Sequence, residues 1–183
     1  MGCKFDFIFR TFVVNIEYTT MKKILLLALL TIVFAGCKKD EPVVYVSSIV
    51  AVAGIDYETF EDGTASVSYS YIRYGKITIP SSIKSGNASY QVTSIRGGVF
   101  SNLEDLYEVF IPSSITKIGN YAFSGCKNLK KMHFNRPVPP VCGINAFLNI
   151  SPDCILYVPN GSSIAYYVTF HGSIHIKEIV EMD

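Results

Sequence analysis

Between residues 92 and 134 the chain repeats itself with a period of 23, and every position that recurs is apolar or small. Ile95 returns as Ile118, Val99-Phe100 as Ala122-Phe123, Leu103 as Cys126, Leu106 as Leu129, Val109 as Met132 and Ile111 as Phe134. Intervening pairs such as Arg96 and Gly119, or Glu108 and Lys131, differ freely. A constraint that acts only on apolar positions is a packing code. Each copy offers the same buried side chains to the copies on either side, as in repeat architectures whose unit is too small to bury its own apolar face. The pattern Leu106-x-x-Val109-x-Ile111 supplies one short strand per copy, with alternate residues turned inward. The expected fold is therefore mainly β, a short solenoid of three to four coils. In it Phe100, Phe123 and Phe147 stack inside, and Leu106 and Leu129 occupy matching core positions.

The flanking sequence supplies ends for such a stack. Tyr57-Glu58-Thr59-Phe60 and Ala65 to Tyr71 alternate about the turn Glu61-Asp62-Gly63-Thr64, a hairpin signal and the expected N-terminal cap. Lys76-Ile77-Thr78-Ile79-Pro80 then reads as a strand closed by proline, whose missing N–H suits a strand end but not its interior. The same phrase returns at Phe110-Ile111-Pro112 and at Tyr157-Val158-Pro159, with spacings of 32 and 47 residues. The first spacing implies an insertion around Lys84 to Tyr90, and the second spans two coils. A short helix near Ser163 to Thr169 and a strand from Ile174 to Ile179 are expected to form the C-terminal cap.

These phrases, with Ile118-Gly119, Ala122-Phe123-Ser124-Gly125-Cys126 and Asn128-Leu129, closely resemble the BspA-like leucine-rich repeats. The resemblance covers roughly residues 54 to 180. It lapses in the proline-rich Asn135 to Pro140 and resumes at Asn145-Ala146-Phe147. It implies a leucine-rich-repeat solenoid with adhesion and interaction roles. It names no partner, because function resides in sites carried by a fold and not in the fold itself.

Not all of the 49% hydrophobic content belongs to that core. Lys22-Lys23 precedes twelve apolar or small residues, Ile24 to Ala35, and then Gly36-Cys37. The run is shorter than the roughly 20 residues of a spanning helix, and a basic start with small residues at its end describes a secretory signal. With cysteine directly after Ala35-Gly36, the segment resembles a bacterial lipoprotein signal, which implies lipidation of Cys37 and a membrane anchor through that lipid. Lys39, Asp40 and Glu41 resemble the export signal of surface lipoproteins of anaerobic gut and oral bacteria. The alternative is a solvated tether. Residues 1–20 read as an upstream start-site error. One uncleaved anchor made of both apolar runs would draw Glu17 and Lys22-Lys23 toward the membrane at a cost. The chain thus divides into 1–20, a signal peptide at 21–36, a lipidated tether at 37–45, a β-rich cap and first coil at 46–91, repeats at 92–160 and a cap at 161–183.

Strand register also selects the candidate binding residues. Thr78, Phe110, His133 and Tyr157 each precede the last inward residue of their strand, so they should form one outward ladder. The adjacent row is Lys76, Glu108, Lys131 and Ile155, whose first three members alternate in charge. Aromatics in line on a sheet offer contact area to a protein or glycan ligand at low entropic cost. Equally, they serve by packing on one another or on an adjacent chain. Beyond Cys37 the chain carries 12 Lys plus Arg against 13 Asp plus Glu, with no clustered basic patch for nucleic acid.

No catalytic residues, metal site or cofactor is expected. There is no Gly-x-Ser-x-Gly elbow, phosphate-cradling loop or Cys-x-x-Cys pair. His171 and His175 have helical ligand spacing in a turn-and-strand context, and His133 has no evident orienting group for a thiol partner. Cys126 replaces Leu103 and should be buried, whereas Cys142 and Cys154 are free to bridge or to stay reduced. The reading that follows is an outer-membrane lipoprotein exposed at the cell surface that binds a protein or glycan. A structural envelope lipoprotein facing the periplasm is the alternative.

Overall fold

Register between the repeats is the organising fact of the structure. The computed structural model describes residues 46–170 and 176–183, all within the unit Pro42–Asp183. One sheet contains β1 (Val46–Val52), β2 (Ile55–Phe60), β3 (Thr64–Ser70), the hairpin of β5 (Ser82–Ser85) and β6 (Ala88–Ile95), β8 (Lys117–Ile118) and β10 (Val141–Cys142). The other is parallel throughout, in the order β12 (Glu178–Met182), β11 (Ile155–Pro159), β9 (Lys131–Phe134), β7 (Asp105–Ile111), β4 (Tyr74–Thr78). The chain passes from first sheet to second through β3–β4, β6–β7, β8–β9 and β10–β11. It then runs through α1 (Ser163–Phe170) into β12. That makes about five turns rather than three to four, because β3–β4 and α1–β12 are turns of the stack as well as its ends.

Pairing follows the sequence period. Glu108 lies opposite Lys131, and Lys131 opposite Ile155. The longer step from Lys76 to Glu108 accommodates the β5–β6 hairpin, which turns at Gly86 with φ 59°. Inside, Phe100 and Phe123 stack at 5.0 Å and Phe123 and Phe147 at 5.5 Å, the latter pair within 5° of parallel. Leu106, Val109, Leu129 and Met132 have no exposed surface. Burying a large apolar side chain contributes roughly 1.5–3 kcal/mol, and one continuous core runs from Ile55 to Phe170.

Three further expectations are corrected. The N-terminal cap is a three-stranded antiparallel meander, since β1 pairs with β2 outside the β2–β3 hairpin. The last strand is Glu178–Met182, not Ile174 to Ile179; residues 171–175 lie outside the described residues. Gly119 does not vary freely either. A Cβ there would fall on Gly97 N and within 2.7 Å of Arg96 C, so the close approach of successive coils requires glycine. The corners also stack backbone to backbone, with Phe100 N–H donating to Ala122 O at 2.9 Å and Phe123 N–H to Ala146 O at 2.8 Å.

Candidate functional site

The outward ladder forms as its register requires. Val109 and Ile111, Met132 and Phe134, and Leu156 and Val158 are buried, so the residues between them, Phe110, His133 and Tyr157, point away from the core. Phe110 pairs with Thr78 on one side and His133 on the other, and His133 with Tyr157. The Phe110 and His133 rings stack at 4.2 Å and 8°, those of His133 and Tyr157 at 4.5 Å and 9°. Strands about 4.7–4.9 Å apart bring flat rings on equivalent positions into face contact. Thr78 begins the row without a ring.

Glu108 changes what the ladder can do. In place of an ion-paired rung with Lys76 or Lys131, its carboxylate lies 3.0 Å from His133 Nε2, diagonally across the strands. Both side chains are about 15% exposed, 15% for His133 and 16% for Glu108. The imidazole is thus covered on both faces and held by one edge. What remains for a ligand is the edge of the stack, since Thr78 flanks Phe110 and Val180 flanks Tyr157 on the adjoining strands.

Two features of this face escape reasoning from spacing. Val180 pairs with Tyr157 and Glu178 with Ile155, so both rows continue onto β12. A last strand ending at Ile179 hides this. Tyr107 is the extra residue of a bulge opposite Gly75–Lys76, and it stands 48% exposed, with Tyr74 at 76% near the same sheet edge. A bulge turns an extra side chain outward, and nothing in the local alternation announces it.

The three cysteines among the described residues are thiols packed as small hydrophobes. Cys126 is fully buried, as its equivalence to Leu103 requires, and its thiol donates to Phe100 O at 3.0 Å. Cys142 and Cys154 are not bridged; they belong to β10 of one sheet and to the approach to β11 of the other. Burial pushes the Cys126 thiol up to about 11 and those of Cys142 and Cys154 up to about 12, so all three stay protonated near neutrality. His133 faces outward while Cys126 is inside. No group of three or more metal-ligating side chains occurs among the described residues. Cys37, Lys39, Asp40, Glu41, His171 and His175 lie outside the described residues.

The repeats match the BspA type leucine rich repeat region in six copies over residues 66–182. The chain belongs to the BspA type leucine rich repeat family. Among solved structures, this family member is similar to a leucine rich cell surface protein from Faecalibacterium prausnitzii A2-165, with a TM-score of 0.50 and 21% identity over 78% of this chain. It spans 44% of that longer protein. A leucine-rich repeat protein from Bacteroides capillosus gives a TM-score of 0.46 and 18% identity, covering 75% of this chain and 100% of the other. One from Bacteroides ovatus gives 0.46 and 18%, covering 72% and 40%. These likenesses concern the fold. No match is found among the curated proteins.

Proposed function

We propose that this leucine-rich-repeat protein is a lipid-anchored, cell-surface binding protein without catalytic activity. Its ligand, a protein or glycan, contacts the outward face of the parallel sheet. The observation that carries the reading is the Phe110–His133–Tyr157 stack, a pre-ordered aromatic strip on rigid strands that a partner meets with little side-chain entropy left to lose. Anchoring rests on the lipoprotein-like segment ending at Cys37, and display on Lys39-Asp40-Glu41; the Faecalibacterium relative is itself described as a cell surface protein.

The mutual covering of ring faces favours a second reading. There the strip stabilises the sheet of a structural envelope lipoprotein and touches no ligand. Protease shaving of intact cells separates the two, comparing the natural chain with one carrying Lys39→Gln, Asp40→Asn and Glu41→Gln. Cleavage of the natural chain with protection of the variant supports display. Protection of both, with cleavage after lysis, supports the structural reading. For the displayed protein, Tyr157→Ala should reduce binding to extracellular matrix or glycan arrays by about 10-fold, the loss typical of an aromatic anchor.

A further inference from the structure

The other sheet carries a second polar feature that the aromatic strip does not explain. Glu58 pairs with Ser66, Ser66 with Ser94 and Ser94 with Lys117, so these four form one row across β2, β3, β6 and β8. Their neighbours Tyr57, Val67, Ile95 and Ile118 are in the core, which turns this row outward. Because Ser66 and Ser94 are small and Gly97 and Gly119 carry no side chain, the middle of the face is a trough of about 430 Å³. Phe60, Arg96, Lys117 and Asn120 stand around it. The volume falls within the range of small-ligand pockets, roughly 300–1,000 Å³.

The chemistry of the walls is selective. Glu58 holds Arg96 at 2.9 Å and is itself 13% exposed, whereas the Arg96 side chain is 55% exposed. Its second carboxylate oxygen is buried without a partner among the described residues. The Glu58 charge offsets one of the two rim cations, so the groove carries a net charge near +1 and suits a monoanion better than a phosphate dianion. Asn120 Oδ1 accepts the Ile144 N–H at 2.9 Å, leaving Nδ2 to donate. Ser66 is 4% exposed, yet its hydroxyl makes a single long bond of 3.5 Å to Ser94 O and is available for exchange. Phe60 adds one apolar ring to the wall.

We propose that this groove binds a uronic acid, a pyranose bearing one carboxylate. Arg96 and Lys117 receive the carboxylate, Ser66, Ser94 and Asn120 the ring hydroxyls, and Phe60 the C–H face of the sugar. The site lies on the opposite sheet from the aromatic strip and stands or falls independently of it.

The test is calorimetric titration of the full chain with glucuronate, against glucose, acetate and inorganic phosphate. Glucuronate is expected to saturate with a Kd of about 1 mM, and the other three to bind at least about 10-fold more weakly. Lys117→Gln, an exposed substitution, should weaken glucuronate about 5- to 10-fold. Ser94→Leu, which fills the trough, should abolish binding, and Tyr157→Ala on the opposite sheet should leave it unchanged. Absence of saturation below about 20 mM would overturn the assignment. So would acetate or phosphate binding as well as glucuronate, or Lys117→Gln and Ser94→Leu both binding like the natural chain.

Discussion

Phe123→Ala tests whether stability really passes from coil to coil through the internal stack. Phe123 has no exposed surface and lies between two rings, 5.0 Å from Phe100 and 5.5 Å from Phe147. Truncating a buried phenylalanine costs about 3–5 kcal/mol, the spread reflecting how far the site collapses. Collapse is restricted here, because strands on both sides are fixed by parallel pairing to the next coil. The expectation is therefore the upper part of that range, about 4–5 kcal/mol. Phe100 is equally buried but stacks on one ring among the described residues, so Phe100→Ala should cost less by one aromatic pair, about 0.5–1.5 kcal/mol. Urea unfolding followed by circular dichroism measures both, and hydrogen exchange at the Phe100 and Phe123 amides reports whether both coil contacts loosen. A Phe123→Ala cost below about 1.5 kcal/mol, or a larger cost at Phe100, would refute the coil-by-coil argument.

Further predictions concern the turns and the buried titratable groups. Gly119→Ala, which drives a methyl group into the Gly97 backbone, should cost about 3 kcal/mol despite the corner position; a melting temperature within about 2 °C of the natural protein contradicts this. The Cys126, Cys142 and Cys154 thiols are raised from 9.0 to about 11, 12 and 12, and the Tyr57 phenol from 10.0 to about 12. The unfolded chain therefore releases these protons first. Stability should be fully present below pH 9.0 and fall as pH rises toward about 12. Melting temperatures that stay level from pH 8 to 11 would show that these groups are already hydrated in the folded protein. Mass spectrometry of the unfolded, unreduced chain after alkylation should find Cys126, Cys142 and Cys154 all modified; a 142–154 bridge would be seen as two missing adducts.

The legible part of this fold was the part written in a period. Ile95 with Ile118, Leu106 with Leu129 and Phe100 with Phe123 sit in register because a parallel solenoid returns each equivalent residue to the same height on the stack. The same arithmetic places Phe110, His133 and Tyr157 in one outward line. The burial of Cys126 followed from its alignment with Leu103. Sequence alone thus determined the repeat architecture, its inner columns and its aromatic outer row, since these depend on which residue types recur and at what interval.

Tertiary structure decided what recurrence does not encode. Glu108 reaches diagonally to His133 instead of along its own row, a choice of partner that register leaves open. Val180 belongs to the ladder because β12 runs from Glu178 to Met182, a strand whose alternation is too short to be bounded from sequence. Gly119 appeared variable beside Arg96, yet the distance between coils leaves no room there for a Cβ. The groove of Phe60, Ser66, Ser94, Arg96, Lys117 and Asn120 draws on residues from successive coils and the cap. Its shape arises from small side chains on separate strands meeting on one face, a conjunction that exists only after the chain has stacked.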